Sequence, residues 1–222
     1  MDKYCVITLD LIDSRHLEER GLVQERIKEI LISINRKFEQ VIRVPFNFTL
    51  GDEVQVVLDS LDQSYSLIRE FQRLFPGGKF YAGIGYGSIV TELSERSIDM
   101  DGPAFHLARA SIDEVKANYE SNKSHFTSLI RYSFPYDELT EIVNRYLEMV
   151  EVLKYRLTDK QREVYWLLFE TETYSEIAER LDQSKSAITQ KIQAGYIKEI
   201  LSGEEGLIQL LTRIEKGEKM ND

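Results

Sequence analysis

The chain has 222 residues, of which 42% are hydrophobic and 30% charged, with only 4 prolines and 12 glycines. This composition is typical of a well-folded protein and excludes a disordered or collagen-like one. The net charge of −10 excludes non-specific, high-affinity coating of DNA, because an acidic chain repels the phosphate backbone unless it has a local basic face.

Cysteine and histidine usage argues against a disulfide framework or a zinc site. Cys5 is the only cysteine, so no internal disulfide can form. The three histidines, His16, His106 and His125, lack the spacing of zinc ligands. No apolar run is long enough to cross a bilayer, and the start of the sequence has no signal-peptide pattern. We therefore expect a cytoplasmic protein with no membrane partner.

The first predicted elements are a buried strand and an amphipathic helix. Residues 4–12, YCVITLDLI, are a continuous apolar run typical of a central strand, and Asp10 interrupts it. Burial of this carboxylate is costly unless a charged group meets it. Asp13 and Ser14 are possible N-caps of a helix whose apolar residues recur at three- and four-residue steps up to Val41. Pro45 is expected to end that helix.

A β-hairpin is predicted next, over residues 46–58. The segment FNFTLGDEVQVVL alternates apolar and polar residues on both sides of Gly51 and Asp52, which indicates a very tight turn. The turn would present Asp52 and Glu53 close together at its tip. One interpretation is that Gly51 and Asp52 serve only the turn, since both tolerate positive φ. The other gives the two acids a role in binding.

Three helices and two strands are predicted between the hairpin and residue 154. A helix capped by Ser60 or Asp62 ends at Pro76, and a strand follows at 80–90, FYAGIGYGSIV. Its three spaced glycines indicate either a phosphate loop or close packing of a helix, and we favour packing. The remaining predicted elements are a helix opened by Gly102 and Pro103, a strand at 126–132 and a long helix at 137–153.

This order of elements predicts an α+β domain of ferredoxin-like topology over residues 1–153, with helices on one face of a mostly antiparallel sheet. In that fold the first strand lies beside the hairpin, so Asp10 and Asp52 are expected to converge at one edge. Two carboxylates with open coordination positions suit Mg²⁺, which proteins hold with few carboxylates plus substrate phosphates. Backbone amides around Asp13 to Arg15 would bind the anion. The alternative is that these acids only cap a helix and form a turn.

Four segments in order resemble the motifs of class III nucleotide cyclases: LDLIDSRHL at 9–17, TLGDEVQVV at 49–57, YAGIGYGSIV at 81–90 and DMDGPAFHLARA at 99–110. The resemblance implies metal-binding aspartates at Asp10 and Asp52. The hairpin also resembles the GGDEF signature of diguanylate cyclases, which implies Glu53 as a third metal ligand. The residues expected to bind a purine nucleotide are Asp13, Ser14, Arg15 and Asp99.

Several positions depart from the cyclase pattern. Phe48 stands where adenylate cyclases have a purine-reading lysine. His106 stands at the position of the transition-state asparagine, and Ala110 at that of the arginine, with Arg109 one position early. We therefore expect weak or no cyclase activity, with His106 and Arg109 as the catalytic candidates. A histidine without a visible partner is more simply explained as a structural residue.

The second predicted domain, residues 154–222, is small and all-α. A helix beginning at Thr158, a helix at 174–181, a turn at 182–184 and a helix at 186–200 follow the helix-turn-helix plan. The run resembles the DNA-binding domains of LuxR-type regulators and sigma factors, which implies that its last helix enters the major groove. The candidate DNA-binding residues are Ser184, Lys185, Ser186, Thr189, Gln190, Lys191 and Gln193. A final apolar helix is predicted at 206–214, for dimerisation or for covering the core.

The whole layout resembles the small SatD family of bacterial proteins. We predict a DNA-binding transcription regulator whose divergent cyclase-like domain binds a purine nucleotide with Mg²⁺, with a homodimer as a further option. Two alternatives remain open. One is an active nucleotidyl cyclase or phosphoryl transferase completed across a dimer. The other is a protein-interaction module in which the acid pair is structural, which the acids around the helix-turn-helix favour.

Overall fold

The computed structural model of the protein describes residues 2–12, 20–49, 53–122, 126–171 and 173–217. Within these ranges the chain forms a mixed α+β structure, as predicted. Its elements are β1 (Lys3–Leu11), α1 (Arg20–Lys37), β2 (Ile42–Phe48), β3 (Glu53–Leu58), α2 (Ser64–Leu74), β4 (Phe80–Ser88), a 3₁₀ helix (Ser97–Asp99), α3 (Pro103–Ser121), β5 (Ile130–Ser133), α4 (Asp137–Tyr155), α5 (Asp159–Leu167), α6 (Tyr174–Arg180), α7 (Lys185–Ala194) and α8 (Ile197–Glu215). None of the helices in the described ranges combines the length and apolarity that a membrane span requires.

The five strands form one sheet in the order β2-β3-β1-β4-β5. The central strand, β1, pairs antiparallel with β3 on one side and with β4 on the other. β2 pairs antiparallel with β3, whereas β5 pairs parallel with β4. Cys5, Val6 and Ile7 of β1 are completely buried, which explains why this strand is apolar on both faces.

The predicted hairpin corresponds to β2 and β3, but its first strand begins earlier than expected. β2 starts at Ile42 and contains Pro45, which therefore does not mark the end of a helix. Because β2 is an edge strand, a residue without an N–H costs no ladder hydrogen bond there. The next amide, that of Phe46, donates to Oδ1 of Asn35 at 3.0 Å. Gly51 and Asp52 lie outside the described residues.

Helices cover both faces of the sheet, so the expectation of one covered face was wrong. On one face, the Phe80 ring of β4 packs edge-on against Phe71 of α2, with centroids 4.7 Å apart. Since side chains alternate along a strand, Gly83 and Gly85 of β4 lie on the other face. There α3 packs on the sheet through small residues such as Ala104 and Ala108. The glycines leave room for the backbone of α3 on this face of the sheet.

Glu215, at the end of α8, binds the turn that precedes α2, and the predicted caps Ser60 and Asp62 do not cap this helix. Its N-cap residue, Gln63, makes no side-chain cap hydrogen bond. The N–H groups of Leu61 and Asp62 donate to the Glu215 carboxylate at 3.1 and 3.4 Å, and the Ser60 hydroxyl donates to Asp62 at a shorter distance than the 3.3 Å that separates it from Glu215. A carboxylate beside the start of a helix is stabilised by unpaired amides and by the helix dipole. Glu215 and Leu61 are 154 positions apart, too far for local sequence patterns to connect.

The chain divides into two compact units, which we call unit 1 (residues 1–145 and 208–222) and unit 2 (residues 146–207). Unit 1 contains the five-stranded sheet and helices α1 to α3. Unit 2 contains α5, α6 and α7. The division falls inside α4 and inside α8. The predicted boundary between two independently folding domains at 153/154 stays a prediction.

Unit 2 is built from short helices with explicit N-caps. Thr158 forms a capping box with Gln161 at the start of α5, and the hydroxyls of Thr173 and Ser184 accept backbone N–H groups at the starts of α6 and α7. These helices enclose a core of buried residues: Leu157, Val164, Tyr165, Ile177, Ala178, Ile188, Ile192, Ile197 and Ile200. Such a core holds the three helices in fixed relative positions.

The end of the third helix of unit 2 differs from the prediction. We expected one helix over 186–200 and a separate one over 206–214. Instead, α7 ends at Ala194, and Tyr196 has a positive φ of 51° that breaks the helix. α8 then runs without interruption from Ile197 to Glu215. Hydrophobic periodicity did not reveal this break, because apolar residues lie on both sides of it.

Unit 2 also contains a buried polar cluster around Lys154. The Lys154 ammonium lies 2.9 Å from Glu151 and 3.2 Å from Glu204. The Glu204 carboxylate accepts a hydrogen bond of 2.6 Å from the Tyr165 hydroxyl. Glu204 is completely buried and Lys154 is 5% exposed, so this cluster connects α4, α5 and α8 in the interior.

Candidate functional site

Asp10 and Glu53 lie directly opposite each other on neighbouring antiparallel strands. The register of β1 and β3 pairs Asp10 with Glu53, two positions beyond the pair Thr8 and Gln55. The Gln55 amide donates to the Thr8 hydroxyl at 3.0 Å, so both pairs face the same side of the sheet. The Asp10 side chain is 26% exposed and that of Glu53 only 8%. Two facing carboxylates repel each other unless positive charge lies between or beside them.

Helix α3 supplies that positive charge. The Lys116 ammonium lies 2.6 Å from Oδ2 of Asp10. The Arg109 guanidinium donates two hydrogen bonds of 2.6 Å, one to each carboxylate oxygen of Glu53. These hydrogen bonds raise the pKa of Arg109 above its usual value. Because Arg109 and Lys116 are seven residues apart, they lie on the same face of the helix. We call Asp10, Glu53, Arg109 and Lys116 the four-charge cluster.

The glycines of β4 explain why α3 lies close enough to reach the strands. A Cβ built at Gly83 would lie 2.5 Å from the carbonyl oxygen of Ala108, and one at Gly85 would clash with the Ala104 carbonyl oxygen more severely. Any larger residue would push the helix away from the sheet. This geometry confirms that Gly83 and Gly85 permit close helix packing, as favoured from the sequence.

The other sequence-predicted site residues of unit 1 lie elsewhere or are not described. His106 is 73% exposed, with Nε2 3.2 Å from Asp101, and Asp99 is half exposed and 3.6 Å from Arg96. Their partners, Asp101 and Arg96, do not belong to the four-charge cluster. Asp13, Ser14, Arg15 and Asp52 lie outside the described residues. The structure thus brings together three of the predicted residues, Asp10, Glu53 and Arg109.

Lys116 is the member of the cluster that sequence reasoning missed. Only its position seven residues after Arg109, on the same helix face, could have indicated it. Using that signal required knowing that α3 packs on the face that carries Asp10. Arg109, which stands one position before the arginine of the cyclase pattern, extends its side chain to Glu53.

The carboxylates of the cluster have the right chemistry for a hard divalent cation. Carboxylate oxygens are the preferred ligands of Mg²⁺, and two of them suffice when phosphates complete the coordination. Arg109 and Lys116 lie beside these carboxylates, which indicates that the two negative charges need positive charge close to them. Among the described residues no group of three or more His, Cys, Asp or Glu side chains is arranged to hold a metal.

The candidate DNA-binding residues of unit 2 lie on α7 and at its start. Ser184, Lys185, Ser186, Gln190 and Gln193 are exposed, and Thr189 and Lys191 are half-buried. Three of the seven already make local contacts. The Ser184 hydroxyl caps the helix, the Thr189 hydroxyl donates to the Lys185 carbonyl, and the Lys191 ammonium donates to Oε1 of Gln183 at 2.6 Å.

Comparison with known proteins identifies the family of this chain. The family model described as the SatD family matches residues 4–211. This chain belongs to the SatD family. The match confirms the resemblance seen in the sequence and covers parts of both units of this SatD protein.

Other comparisons add little to the SatD assignment. One similar solved structure is that of a bacterial light-regulated adenylyl cyclase, with 16% sequence identity and a TM-score of 0.38. The similarity covers 59% of this chain and 75% of that one. At this identity and TM-score it carries no conclusion about activity. No curated protein matches the sequence significantly.

Proposed function

We propose that this SatD-family chain is a DNA-binding regulator that reads DNA through α7. The observation that carries the proposal is the charge and exposure of this helix. Residues 183–196 contain Lys185 and Lys191 and no acidic residue, although the chain as a whole has a net charge of −10. An acidic chain needs a region of this kind, with lysines and without acids, in order to approach a phosphate backbone.

The arrangement of α6 and α7 supports this function. In a helix-turn-helix, two helices joined by a tight turn pack against each other, and the second lies in the major groove. Here Ala178 of α6 and Ile188 of α7 are buried in one core, and Asp182 in the turn has a positive φ of 50°. The opposite side of α7 presents amide and hydroxyl groups, which form hydrogen bonds with base edges.

The acidic residues near α7 limit the expected affinity. Glu176, Glu179 and Asp182 are exposed on α6 and its turn. Glu170 is neutralised by Arg180 at 3.1 Å, but these others add negative charge near the proposed interface. We therefore expect modest, salt-dependent binding. The same acids support the rival role of unit 2 as a protein-docking module.

Selection of binding sites from random-sequence DNA tests this proposal. The wild-type protein should enrich a specific sequence, and Lys185→Ala/Gln190→Ala should lose that enrichment. A matched control is Lys28→Ala/Gln40→Ala, which makes the same chemical change at exposed positions of unit 1. Equal enrichment by both variants, or none by the wild type, contradicts DNA reading through α7.

We further propose that the regulator responds to a nucleotide bound with Mg²⁺ in unit 1. The facing carboxylates Asp10 and Glu53 would hold the cation, with Asp52 as a further ligand, and Asp13, Ser14, Arg15 and Asp99 would bind the nucleotide. Mg²⁺ would neutralise the phosphates and fix their position. Calorimetric titration with a panel of purine nucleotides, repeated on Asp10→Ala and Asp52→Ala, measures this binding. Equally weak binding by all three proteins would exclude it.

A second candidate function, phosphoryl transfer, is favoured by one observation. Arg109 donates to Glu53, so a guanidinium lies beside the carboxylates that would hold Mg²⁺, and a guanidinium can stabilise charge on a transferring phosphoryl group. Release of pyrophosphate from ATP or GTP with Mn²⁺, lost in Asp52→Ala and in Arg109→Ala, would establish an enzyme. His106 contacts Asp101 instead, so His106→Ala should leave such activity largely unchanged.

A further inference from the structure

Both acids of the four-charge cluster are engaged by cations of the protein itself. Arg109 occupies both carboxylate oxygens of Glu53, and the Thr49 hydroxyl donates to one of them at 2.9 Å. Lys116 occupies one oxygen of Asp10 at 2.6 Å. Glu53 is nearly buried, so solvent screens its charge poorly. A free divalent cation would have to compete with these two side chains for the same oxygens.

Such competition disfavours a metal that arrives alone. If a metal takes the carboxylates, the guanidinium and the ammonium lose their partners and remain close to a divalent positive charge. Unpaired charges at a partly buried site are costly. A polyphosphate removes the cost because its oxygens accept hydrogen bonds from Arg109 and Lys116, and its charge neutralises them. The two ligands therefore stabilise each other's binding.

We infer that Arg109 and Lys116 exchange partners between the carboxylates and a polyphosphate, so that the divalent cation and the polyphosphate bind as a coupled pair. This inference rests on the proposed nucleotide site of unit 1 and assigns Lys116 to phosphate binding. The two cationic groups contact two different carboxylates, Glu53 and Asp10, on neighbouring strands. A ligand that replaces both carboxylates needs two anionic groups, which a chain of phosphates has and a single orthophosphate does not.

Binding of Mn²⁺ alone, followed by electron paramagnetic resonance, tests the competition. The double variant Arg109→Gln/Lys116→Gln, which we call the cluster variant, should bind Mn²⁺ about tenfold more tightly than the wild type, a factor typical of coupled sites. The control, Lys28→Gln/Arg36→Gln, removes the same charge from exposed positions of α1 and should differ from the wild type by less than about threefold, since exposed charges are well screened. A cluster variant no tighter than this control overturns the inference.

The polyphosphate half is measured with inorganic tripolyphosphate in the presence of Mg²⁺. The wild type should bind tripolyphosphate, the cluster variant should lose about tenfold or more in affinity, and orthophosphate should bind neither protein. Retained tripolyphosphate binding by the cluster variant overturns the role of Arg109 and Lys116. If the double variant does not fold, Arg109→Lys keeps the charge but not the paired hydrogen bonds, and it should still bind Mn²⁺ more tightly than the wild type.

The outcomes separate this inference from the proposed function. Wild-type binding of Mg²⁺ with nucleotide that is lost in Asp10→Asn, without tighter Mn²⁺ binding by the cluster variant, leaves the nucleotide site standing and refutes the exchange. Absence of nucleotide binding by the wild type under all metal conditions refutes both.

Discussion

Lys154 and Glu204 form an ion pair of 3.2 Å in which the side-chain exposures are only 6% and 0%. The Tyr165 hydroxyl and the Glu151 carboxylate complete the cluster. Taking such charges out of water is costly, and mutual pairing offsets the cost only while every partner is present. The pair therefore makes unit 2 sensitive to loss of either side chain.

The first prediction concerns Lys154→Met, which leaves Glu204 buried without its ammonium partner. The free energy of unfolding should fall by about 3–5 kcal/mol. Lys154→Met/Glu204→Gln should recover part of this loss, because the completely buried carboxylate is removed together with its partner, although Glu151 still loses the ammonium. Urea denaturation followed by circular dichroism measures both. A single variant within about 0.5 kcal/mol of the wild type would show that the pair is not structurally important.

The second prediction concerns Gly85→Ala, which should separate α3 from β4. The added Cβ would overlap backbone atoms of Ala104 and Ala108, and backbone cannot move aside as a flexible side chain does. We expect destabilisation of about 1–3 kcal/mol, the cost of overpacking a core. Arg109 would then also hold Glu53 less firmly.

Gly21→Ala is the matched control for Gly85→Ala. A Cβ at Gly21 in α1 meets nothing within 4 Å, so alanine should stabilise the helix by up to about 1 kcal/mol. Thermal unfolding of the two variants should therefore shift in opposite directions. Equal shifts in unfolding temperature would mean that the contact between the added Cβ and α3 does not determine the stability of Gly85→Ala.

The third prediction is a loss of stability at alkaline pH. Burial, and secondarily the nearby charge of Glu215, raises the pKa of Tyr86 to about 12 from about 10. Burial also raises the pKa of the Cys5 thiol far above its usual range. The folded state holds these protons more tightly than the unfolded state, so their contribution is complete below about pH 8. The Cys5 part begins to be lost as the pH rises through about 9, where the unfolded thiol titrates, and the Tyr86 part is lost between about 10 and 12.

Chemical denaturation at a series of pH values measures this loss. Tyr86→Phe should flatten the decline between about pH 10 and 12, because one of the groups responsible is gone. Tyr136→Phe is the control, since Tyr136 is 70% exposed and its replacement should leave the profile unchanged. A wild-type profile with no decline above pH 10 would contradict the prediction.

The fourth prediction separates charge from base reading on α7. Lys185→Ala should weaken DNA binding about equally on all sequences and reduce the slope of log affinity against log salt by about 1. Gln190→Ala should leave the slope unchanged and relax the preference at one base position. Fluorescence anisotropy at several salt concentrations distinguishes the two. Identical behaviour of both variants would argue against groove reading by α7.

The sequence predicted the parts of unit 1 that local patterns determine. The apolar run of β1, the alternation that produces β2 and β3 and the Gly102-Pro103 start of α3 all appear in the structure. Local patterns failed where an edge position tolerates Pro45 and where Tyr196 adopts a left-handed conformation between two apolar helices. Hydrophobic periodicity predicts neither feature, because the first depends on the order of strands in the sheet and the second on one backbone dihedral angle.

The sequence predicted three members of the four-charge cluster, Asp10 and Glu53 as metal ligands and Arg109 as a catalytic candidate. Asp10 was conspicuous because a carboxylate in an apolar strand needs a partner, but the residue predicted to lie beside it was Asp52, which is outside the described residues. That α3 would supply a cation to each acid was not predicted. Lys116 reaches Asp10 only because glycines on β4 bring α3 close to the sheet, and this depends on three separate segments folding together.

The cap that Glu215 provides for the turn before α2 has a consequence for biosynthesis. On the ribosome, residues 60–62 emerge long before Glu215, which is translated about 150 residues later, so their amides lack this acceptor in the interval. Unit 1 therefore reaches its final hydrogen bonding only when α8 has left the exit tunnel. A product truncated before Glu215 would lack the carboxylate that accepts the Leu61 and Asp62 amides.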